Sequence, residues 1–495
     1  MRGTRLVFAL PLVAIVAAVA LPAQTGPKLA DYYRLIPPKV IDPNYSPFWI
    51  DAPPFSADLN GDGNEDLVVL GVDFGCCGAT PNVPQPSRVF FGDGDGNFSA
   101  PAPGQFPVDS FKMVYPQKVV FGDLNGDGRL DMFIACDGPE MDPFPGEQNR
   151  LYLSEPGGGW RDATAALPQL SDFTLSAVIG DLSGRGVLDI IVGSAFGAQN
   201  HISSYALLND GAGNFTMTRA NIPARSGEVM DAESHFFTGM TLADLNGDGL
   251  PDLILLYGDP GPYNKLTHST ILWNHGGAFS DGDKTELPAP SAFPTTHEVL
   301  DAQPIDFNGD GLPDFVIVGT DASNYDGWFV QLLQNRGSGA FVDVTASRLS
   351  PSDAFGETPG VGYSQAPWAK RVKVLDYNGD GLPDFSVEYY PAHLDSSGRQ
   401  ALPAIQPLIY LNDGKGHFST LKVADFAAPG NEWALGGGHL VATRNGYSFF
   451  TPYLDPHESG LHLTGLLATK PYRQPAAPWH KVAVPGPPVP VKRRG

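Results

Sequence analysis

The sequence predicts an all-β protein, a seven-bladed β-propeller of four-stranded antiparallel blades. Three observations predict this fold. The chain is rich in turn-forming residues, with 58 glycines and 47 prolines among 495 residues, yet 42% of it is hydrophobic. An aspartate-rich loop recurs about every 63 residues, and a glycine-rich hairpin recurs between its copies. Many short strands joined by turns at a fixed period are typical of repeat architectures built from sheets.

The first recurring element is a nine-residue loop, here called the Asp loop, which lies between two apolar strands. Its first and ninth residues are Asp, and an Asn-Gly-Asp-Gly turn lies between them. The copies are DLNGDGNED at Asp58, DLNGDGRLD at Asp123, DLSGRGVLD at Asp181, DLNGDGLPD at Asp244, DFNGDGLPD at Asp306 and DYNGDGLPD at Asp376. A period near 63 residues suits four short strands with four connections.

The second element is a strand, a glycine-rich turn and an aromatic residue that opens the next strand, which is the pattern of a β-hairpin. We expect the aromatic residue to pack in the core between neighbouring sheets. These residues are Phe98, Trp160, Phe215, Phe279, Phe341 and Phe418. The related GDGDGN segment at Asp93 and Asp95 is interpreted as a hairpin turn, with a weak additional ion as the alternative.

The seventh unit is degenerate. Its turn survives as Arg444-Asn445-Gly446 without the acids, and LHLTGLLAT and WHKVAV follow where a second hairpin would lie. A four-stranded sheet cannot bury both faces alone, and its edges invite pairing with other chains. Radial stacking in a closed ring solves both problems. Either terminal segment could pair with the last blade and close the ring.

The six Asp loops resemble the FG-GAP/VCBS repeats of integrin α-subunit heads and of exported bacterial proteins. The resemblance covers roughly residues 50–484 and implies a seven-bladed propeller with calcium in the loops of some blades. It implies no shared activity, because propellers host binding proteins, enzymes and scaffolds. The expected organisation is a signal peptide at 1–23, a lead-in segment at 24–50, the propeller at 51–484 and a proline-rich basic tail at 485–495.

Oxygen-bearing side chains at loop positions 1, 3, 5 and 9 can converge on one centre, as Ca²⁺ requires, with a backbone carbonyl from position 7. The alternative is a metal-free hairpin turn, which would leave three carboxylates crowded without a cation. About five structural Ca²⁺ sites are therefore predicted. Their ligands are Asp58, Asn60, Asp62 and Asp66; Asp123, Asn125, Asp127 and Asp131; Asp244, Asn246, Asp248 and Asp252; Asp306, Asn308, Asp310 and Asp314; and Asp376, Asn378, Asp380 and Asp384.

The third loop departs from the pattern, since Ser183 replaces Asn and Arg185 replaces the central Asp. A guanidinium at this position can take the place of the cation and pair with Asp181 and Asp189. The third blade is therefore predicted to be free of metal.

The charge balance and the N-terminus predict an exported protein. The net charge of −23 disfavours nucleic acid as a partner. Arg2 and Arg5 precede an apolar stretch from Leu6 to about Leu21, with cleavage expected after Ala20 or Ala23; an uncleaved anchor is the alternative. A secreted, periplasmic or cell-surface monomer is expected, with no membrane span after cleavage.

Several residues leave alternatives open. Cys136 could form a disulfide with Cys76 or Cys77 across neighbouring blades, or remain a thiol. His235 and His297 occupy matched positions before two Asp loops and could lie near the central channel. The longer connections, on the face opposite the Asp loops, hold Tyr263, His268, Tyr325, His393 and His457.

Exposed aromatic residues with polar neighbours suit the recognition of sugars or peptides. The expected function is a binding or adhesion module for an extracellular carbohydrate or protein, without a predicted catalytic residue. The alternative is a lyase or hydrolase acting on extracellular polysaccharide at the opposite face. A cluster of His, Tyr and Arg or of paired carboxylates over the channel mouth would favour the enzyme.

Overall fold

The computed structural model describes residues 28–73, 82–141, 145–196, 204–220, 222, 237–258, 268–322, 327–357, 367–390, 393–394, 400–455 and 457–472. In blades 1 to 6 the strand after the Asp loop is mostly apolar and is buried along nearly all of its described length. All six residues of Asp131–Cys136 are buried, for example. A strand of this kind lies between two neighbouring strands within a sheet and between two neighbouring sheets, so the repeat dictates radial stacking.

Seven antiparallel four-stranded sheets follow one another along the chain and confirm the predicted fold. In sheet order, their strands are Phe55–Ala57, Asp66–Val69, Arg88–Gly92 and Phe98–Ser99 in blade 1; Pro116–Gly122, Asp131–Cys136, Arg150–Glu155 and Gly159–Asp162 in blade 2; Phe173–Gly180, Asp189–Phe196, Tyr205–Asn209 and Phe215–Thr218 in blade 3; Phe237–Ala243, Asp252–Tyr257, Thr270–Leu272 and Lys284–Glu286 in blade 4; His297–Ile305, Asp314–Asp321, Gly327–Asn335 and Phe341–Asp343 in blade 5; Trp368–Leu375, Asp384–Tyr390, Pro407–Asn412 and Phe418–Lys422 in blade 6; and His439–Thr443, Gly446–Leu454, Leu461–Ala468 and Tyr33–Asp42 in blade 7.

The remaining described elements are short. Three pairs of two-residue strands are Trp49–Ile50 with Gly71–Val72, Gln85–Pro86 with Lys112–Met113, and His393–Leu394 with Gln400–Ala401; Phe355–Glu357 pairs with the third strand of blade 5. The single-turn helices are Leu29–Tyr32, Thr164–Ala166, Thr345–Arg348, Pro351–Ala354, Val423–Phe426 and Glu432–Leu435. No helix among the described residues is long and apolar enough to cross a membrane.

The N-terminal segment supplies the fourth strand of blade 7. Tyr33–Asp42 pairs antiparallel with Leu461–Ala468, with Tyr33 opposite Ala468 and Leu35 opposite Leu466. The first and last parts of the chain thus share one sheet, which closes the ring. The segment WHKVAV, which was expected in this place, lies outside the described residues.

The aromatic residues after the hairpin turns pack as predicted. Trp160 and Phe279 are buried, and the other four are partly buried against the cores between blades. Phe98 of blade 1 meets Phe450 of blade 7 edge to face at 4.8 Å, and Phe418 of blade 6 meets Phe307 of blade 5 at 6.1 Å. These contacts pack the aromatic residues after the hairpin turns against neighbouring blades, within separate apolar clusters.

Candidate functional site: the Asp loops and the opposite face

Each acidic Asp loop is folded around the carboxylate of its first Asp. In blade 1, Oδ1 of Asp58 accepts the backbone N–H groups of Gly61 and Asp62 at 2.8 and 3.1 Å, and Oδ2 accepts that of Gly63 at 2.9 Å. Gly61 and Gly63 have φ of 77° and 86°, a conformation that residues with a Cβ rarely adopt. The loops of blades 2, 4, 5 and 6 repeat these bonds.

The ninth-position Asp is buried and ties the loop to the rest of the blade. Oδ2 of Asp66 accepts the N–H of Leu59 in the loop, and Oδ1 accepts that of Gly92 at the end of the third strand, both at 2.8 Å. Burial raises the pKa of this residue in all five acidic loops, and the charge of the fifth-position Asp opposes its ionisation further. The pKa rises to about 7 in Asp66, 6 in Asp131, 7 in Asp314 and 8 in Asp384, and it is also raised in Asp252.

The donor set of these loops fits a hard cation, because every side-chain ligand is a carboxylate or amide oxygen. In blade 5, Oδ2 of Asp314 is buried and without a hydrogen-bond partner among the described residues. The side chains nevertheless do not form a preassembled cage. The amide of Asn60 donates to Asp62 at 3.1 Å, and no group of three or more His, Cys, Asp or Glu in the described ranges is arranged to hold a metal. The calcium sites remain a prediction.

The third loop is organised by a guanidinium. Arg185 donates to both carboxylate oxygens of Asp189 at 2.7 and 3.0 Å, to the hydroxyl of Ser183 at 2.7 Å and to the carbonyl of Asn209 at 3.3 Å. Its contact with Asp181 is made by the backbone N–H, at 2.9 Å. A fixed positive charge therefore contacts the ninth-position Asp in the loop that lacks the central acid.

Four asparagines, one in each of blades 3 to 6, join their blade to the one before it, and we call them the clip asparagines. Each lies at the end of the third strand or just after it, accepts a backbone N–H from its own turn, and donates its amide to a carbonyl in the Asp loop of the preceding blade. They are Asn209 to Leu124, Asn274 to Leu182, Asn335 to Leu245 and Asn412 to Phe307, at 2.7 to 3.3 Å. The sequence indicated these asparagines only as turn residues. Their side chains couple neighbouring Asp loops.

The segment of GDGDGN around Asp93 is a hairpin turn. Oδ1 of Asp93 accepts the N–H groups of Asp95 and Asn97, and hydrogen bonds from Asn97 lower the pKa of Asp93 although its slight burial opposes this. Arg444, from the degenerate seventh turn, pairs with the carboxylate of Asp95. The turn thus binds a neighbouring cationic side chain.

The opposite face, at the ends of the blades away from the Asp loops, carries an exposed apolar ledge in blade 1. The ledge comprises Phe48, Trp49 and Val83, which are 45%, 54% and 42% exposed. Gln85 holds it together, since its Oε1 accepts the N–H of Phe48 at 2.9 Å and its amide donates to the carbonyl of Val83 at 2.7 Å. Exposed aromatic side chains held on a fixed backbone are typical of recognition surfaces.

Beside this ledge, charged and aromatic groups of blade 6 meet the segment that enters blade 1. The ammonium group of Lys370 bonds the carboxylate of Asp51, two residues after Trp49, and lies 5.8 Å from the centre of the Tyr390 ring. The Tyr390 ring packs against Trp368 at 4.8 Å. Polar and aromatic groups of two blades therefore adjoin on the opposite face.

The other candidate residues of the opposite face have mixed outcomes. His297 is buried against Tyr257 and Phe329, and burial lowers its pKa to about 4, so it is a core residue. His268 is partly buried and His457 is exposed. His235, Tyr263 and Tyr325 lie outside the described residues, as does the side chain of His393.

Cys136 is a free thiol in the buried core of blade 2, and burial raises its pKa well above the ordinary value. Cys76 and Cys77, the partners considered for a disulfide, lie outside the described residues.

The FG-GAP-like repeat model matches residues 58–134, 123–192 and 306–387, which contain the Asp loops of blades 1, 2, 3, 5 and 6. The chain carries FG-GAP-like repeats. The repeat model and the seven four-stranded blades together confirm the resemblance noted in the sequence; a bacterial origin remains a prediction.

The FG-GAP-like chain is 25% identical over 308 residues to the T-cell immunomodulatory protein of Mus musculus, covering 53% of this chain and 48% of the relative. The rat protein of the same name is 24% identical over 309 residues, with the same coverage. The chain therefore spans about half the length of the curated relatives it matches.

Two solved structures resemble the FG-GAP-like chain at low identity. One is an Agrocybe aegerita lectin, from a structure of its recognition of non-reducing terminal N-acetylglucosamine, with a TM-score of 0.42, 19% identity and coverage of 78% of this chain and 83% of the lectin. The other is the V. cholerae biofilm matrix protein Bap1, with a TM-score of 0.32, 13% identity and coverage of 86% and 78%.

Proposed function

We propose that this protein is an exported, calcium-binding propeller that acts as a binding or adhesion module for an extracellular carbohydrate or protein. The observation that carries the proposal is the ledge of Phe48, Trp49 and Val83 on the opposite face. An exposed Trp beside an exposed Phe forms a contiguous apolar patch, whereas the exposed apolar residues of a soluble protein are normally scattered singly. Their backbone is fixed by Gln85 and by pairing of Trp49 with Val72, which limits the entropy lost when a ligand binds.

Calcium in the Asp loops would have a structural role in this proposal. The loops lie at the end of the blades away from the ledge, and their all-oxygen donor set does not resemble a hydrolytic zinc site. In each loop, the first, third, fifth and ninth side chains would hold the ion. A cation there would offset the charge of the buried ninth-position Asp and stabilise only the folded form.

The binding proposal is tested with immobilised glycans and candidate extracellular proteins, each probed with excess Ca²⁺ and with a chelator. Trp49→Ala and Phe48→Ala should weaken binding at least tenfold. Ile405→Ala is the matched control, because Ile405 is a highly exposed apolar residue elsewhere on the surface. If a ligand binds the wild-type protein, Trp49→Ala and Phe48→Ala equally well, the ledge is not its binding surface.

Calcium is tested by calorimetric unfolding of the mature protein. At a calcium concentration of 100 Kd, each site should add about 2.7 kcal/mol to the free energy of unfolding. An unchanged melting temperature after chelation would mean that the Asp loops are turns only. Export is tested by sequencing the N-terminus of protein recovered outside the producing cell, with cleavage expected after Ala20 or Ala23.

A further inference from the structure

Three residues from three blades, Ser56, His439 and Glu388, form an array of close polar contacts. Oγ of Ser56, in the first strand of blade 1, lies 2.7 Å from Nε2 of His439, which opens the first strand of blade 7. Nδ1 of His439 lies 2.5 Å from Oε1 of Glu388, in the second strand of blade 6, an ion-pair contact in which neither atom makes a hydrogen bond among the described residues. A hydroxyl, an imidazole and a carboxylate follow one another here in the order of an activated-nucleophile arrangement.

The array has a buried end and a solvent-facing end. The side chains of Glu388 and His439 are 5% and 8% exposed. Ser56 is only partly buried, and the neighbouring Glu65 and Lys373 are 23% and 28% exposed. A reactant arriving from solvent would therefore meet the hydroxyl first, while the imidazole and its carboxylate stay shielded.

The hydroxyl of Ser56 contacts a carboxylate and an imidazole. Its Oγ donates to Oε2 of Glu65 at 2.5 Å. Burial lowers the pKa of His439, and the neighbouring charge of Glu388 opposes this. Burial opposes the ionisation of Glu388, but the charges of His439 and Arg371 outweigh it and hold its pKa at about 2. The single proton of the Ser56 hydroxyl is donated to Glu65 in this structure, so activation by His439 requires the hydroxyl to turn toward Nε2.

A cation adjoins the carboxylate that accepts the Ser56 hydroxyl. Nζ of Lys373 bonds Oε2 of Glu65 at 2.9 Å, the same oxygen that receives the Ser56 hydroxyl. The guanidinium of Arg371 lies 3.3 Å from Glu388 at the buried end. The ammonium of Lys373 therefore offsets the negative charge of Glu65 beside the proposed nucleophile.

We propose that Ser56 is a nucleophile activated by His439, which Glu388 positions, and that Ser56 reacts with esters or comparable acyl electrophiles from solvent. Ser56 Oγ bonds the carbonyl carbon while its proton passes to Nε2 of His439, and Glu388 balances the imidazolium. The imidazolium then protonates the leaving alcohol as the acyl–oxygen bond breaks. Water, deprotonated by the same imidazole, hydrolyses the acyl-serine and restores the hydroxyl.

The first test is covalent labelling of the full chain by a fluorophosphonate, followed by mass spectrometry of the modified peptide. Serine oxygen forms a bond to phosphorus, fluoride leaves, and His439 takes the proton. The expected result is one adduct, on Ser56. Ser350 is an internal control, because its hydroxyl also donates to a carboxylate, Asp353 at 2.7 Å, but its described contacts include no imidazole.

Absence of an adduct on Ser56 in folded protein would overturn the proposal, and so would equal labelling of Ser56 and Ser350. Ser56→Ala should abolish the signal, whereas Ser350→Ala should leave it unchanged. This result does not depend on calcium or on the ledge, so it tests the nucleophile separately from the proposed binding function.

The second test separates activation from a structural hydrogen bond. His439→Gln should slow labelling of Ser56 on the order of 100-fold or more, the usual contribution of a general base. Glu388→Gln should slow labelling with little change in the far-UV spectrum. The rate of labelling in the wild-type protein should decrease as the pH is lowered, because the imidazole becomes protonated. p-Nitrophenyl acetate should acylate the same residue. A rate insensitive to both substitutions and to pH would assign the array a purely structural role.

Discussion

The clip asparagines give the sharpest stability prediction, and Asn412 is the best placed to test it. Its amide donates to the carbonyls of Phe307 and Pro383 at 2.9 and 3.1 Å, and its Oδ1 accepts the N–H of Gly414 at 2.9 Å. The residue is 4% exposed. Asn412→Asp keeps the shape and the acceptor but replaces two donated hydrogens with a carboxylate oxygen that faces two carbonyls.

The expected cost follows from these contacts. Each buried polar group left without its partner costs about 1–3 kcal/mol, so two carbonyls and a buried charge give a loss of about 3 kcal/mol. Protonation of the introduced carboxyl restores one donor, so the loss should be smaller in acid. Since the entropy of unfolding is about 2.1 cal/mol/K per residue, a chain of this size should melt about 3 °C lower.

Differential scanning calorimetry at neutral pH measures this shift. Asn214→Asp is the matched control, because Asn214 is an exposed turn residue whose amide donates to Asp210 at 2.8 Å. Its melting temperature should change by less than 1 °C. If the two variants melt together, the amide of Asn412 does not couple blade 6 to blade 5, and the reasoning from buried donors is refuted.

Three further perturbations test the Asp loops, the array of Ser56, His439 and Glu388, and the closure of the ring. Arg185→Asp combined with Ser183→Asn restores the acidic pattern in blade 3, so titration calorimetry should detect one additional Ca²⁺; unchanged stoichiometry would count against calcium in loops of this pattern. The low pKa of Glu388 adds stability above pH 4.5 that is lost as the pH falls toward 2. In Glu388→Gln the free energy of unfolding should therefore depend less on pH between 4.5 and 2. An unchanged pH dependence would contradict a low pKa for Glu388. Ile36→Asp puts a carboxylate into the buried face of the closing strand and should cost more than 3 kcal/mol in urea denaturation, whereas Arg34→Asp, at an exposed position of that strand, should cost less than 1 kcal/mol; equal losses would contradict a structural closure at this strand.

The sequence was sufficient to predict the features that depend on a local residue pattern and on the repeat period. Apolar strands after each Asp loop, and aromatic residues after each hairpin turn, gave the blades and their packing because both are set by neighbouring residues. The clip asparagines were missed for the opposite reason. An Asn before Gly predicts a turn wherever it occurs, and the acceptor of its amide lies in the preceding blade, 85 to 105 residues away.

The closure of the ring shows the same limit more strongly. Blade 7 has lost the acidic loop, and other contacts hold it: a strand from the N-terminal segment, a pair between Arg444 and Asp95, and the array that joins Ser56 through His439 to Glu388. Ser56 and His439 are separated by 383 residues and meet only because the ring closes. No periodic signal marks such residues, because they are required once. A repeat therefore predicts the blades that resemble one another. Contacts that occur only once, where the first and last blades meet, are found only in the structure.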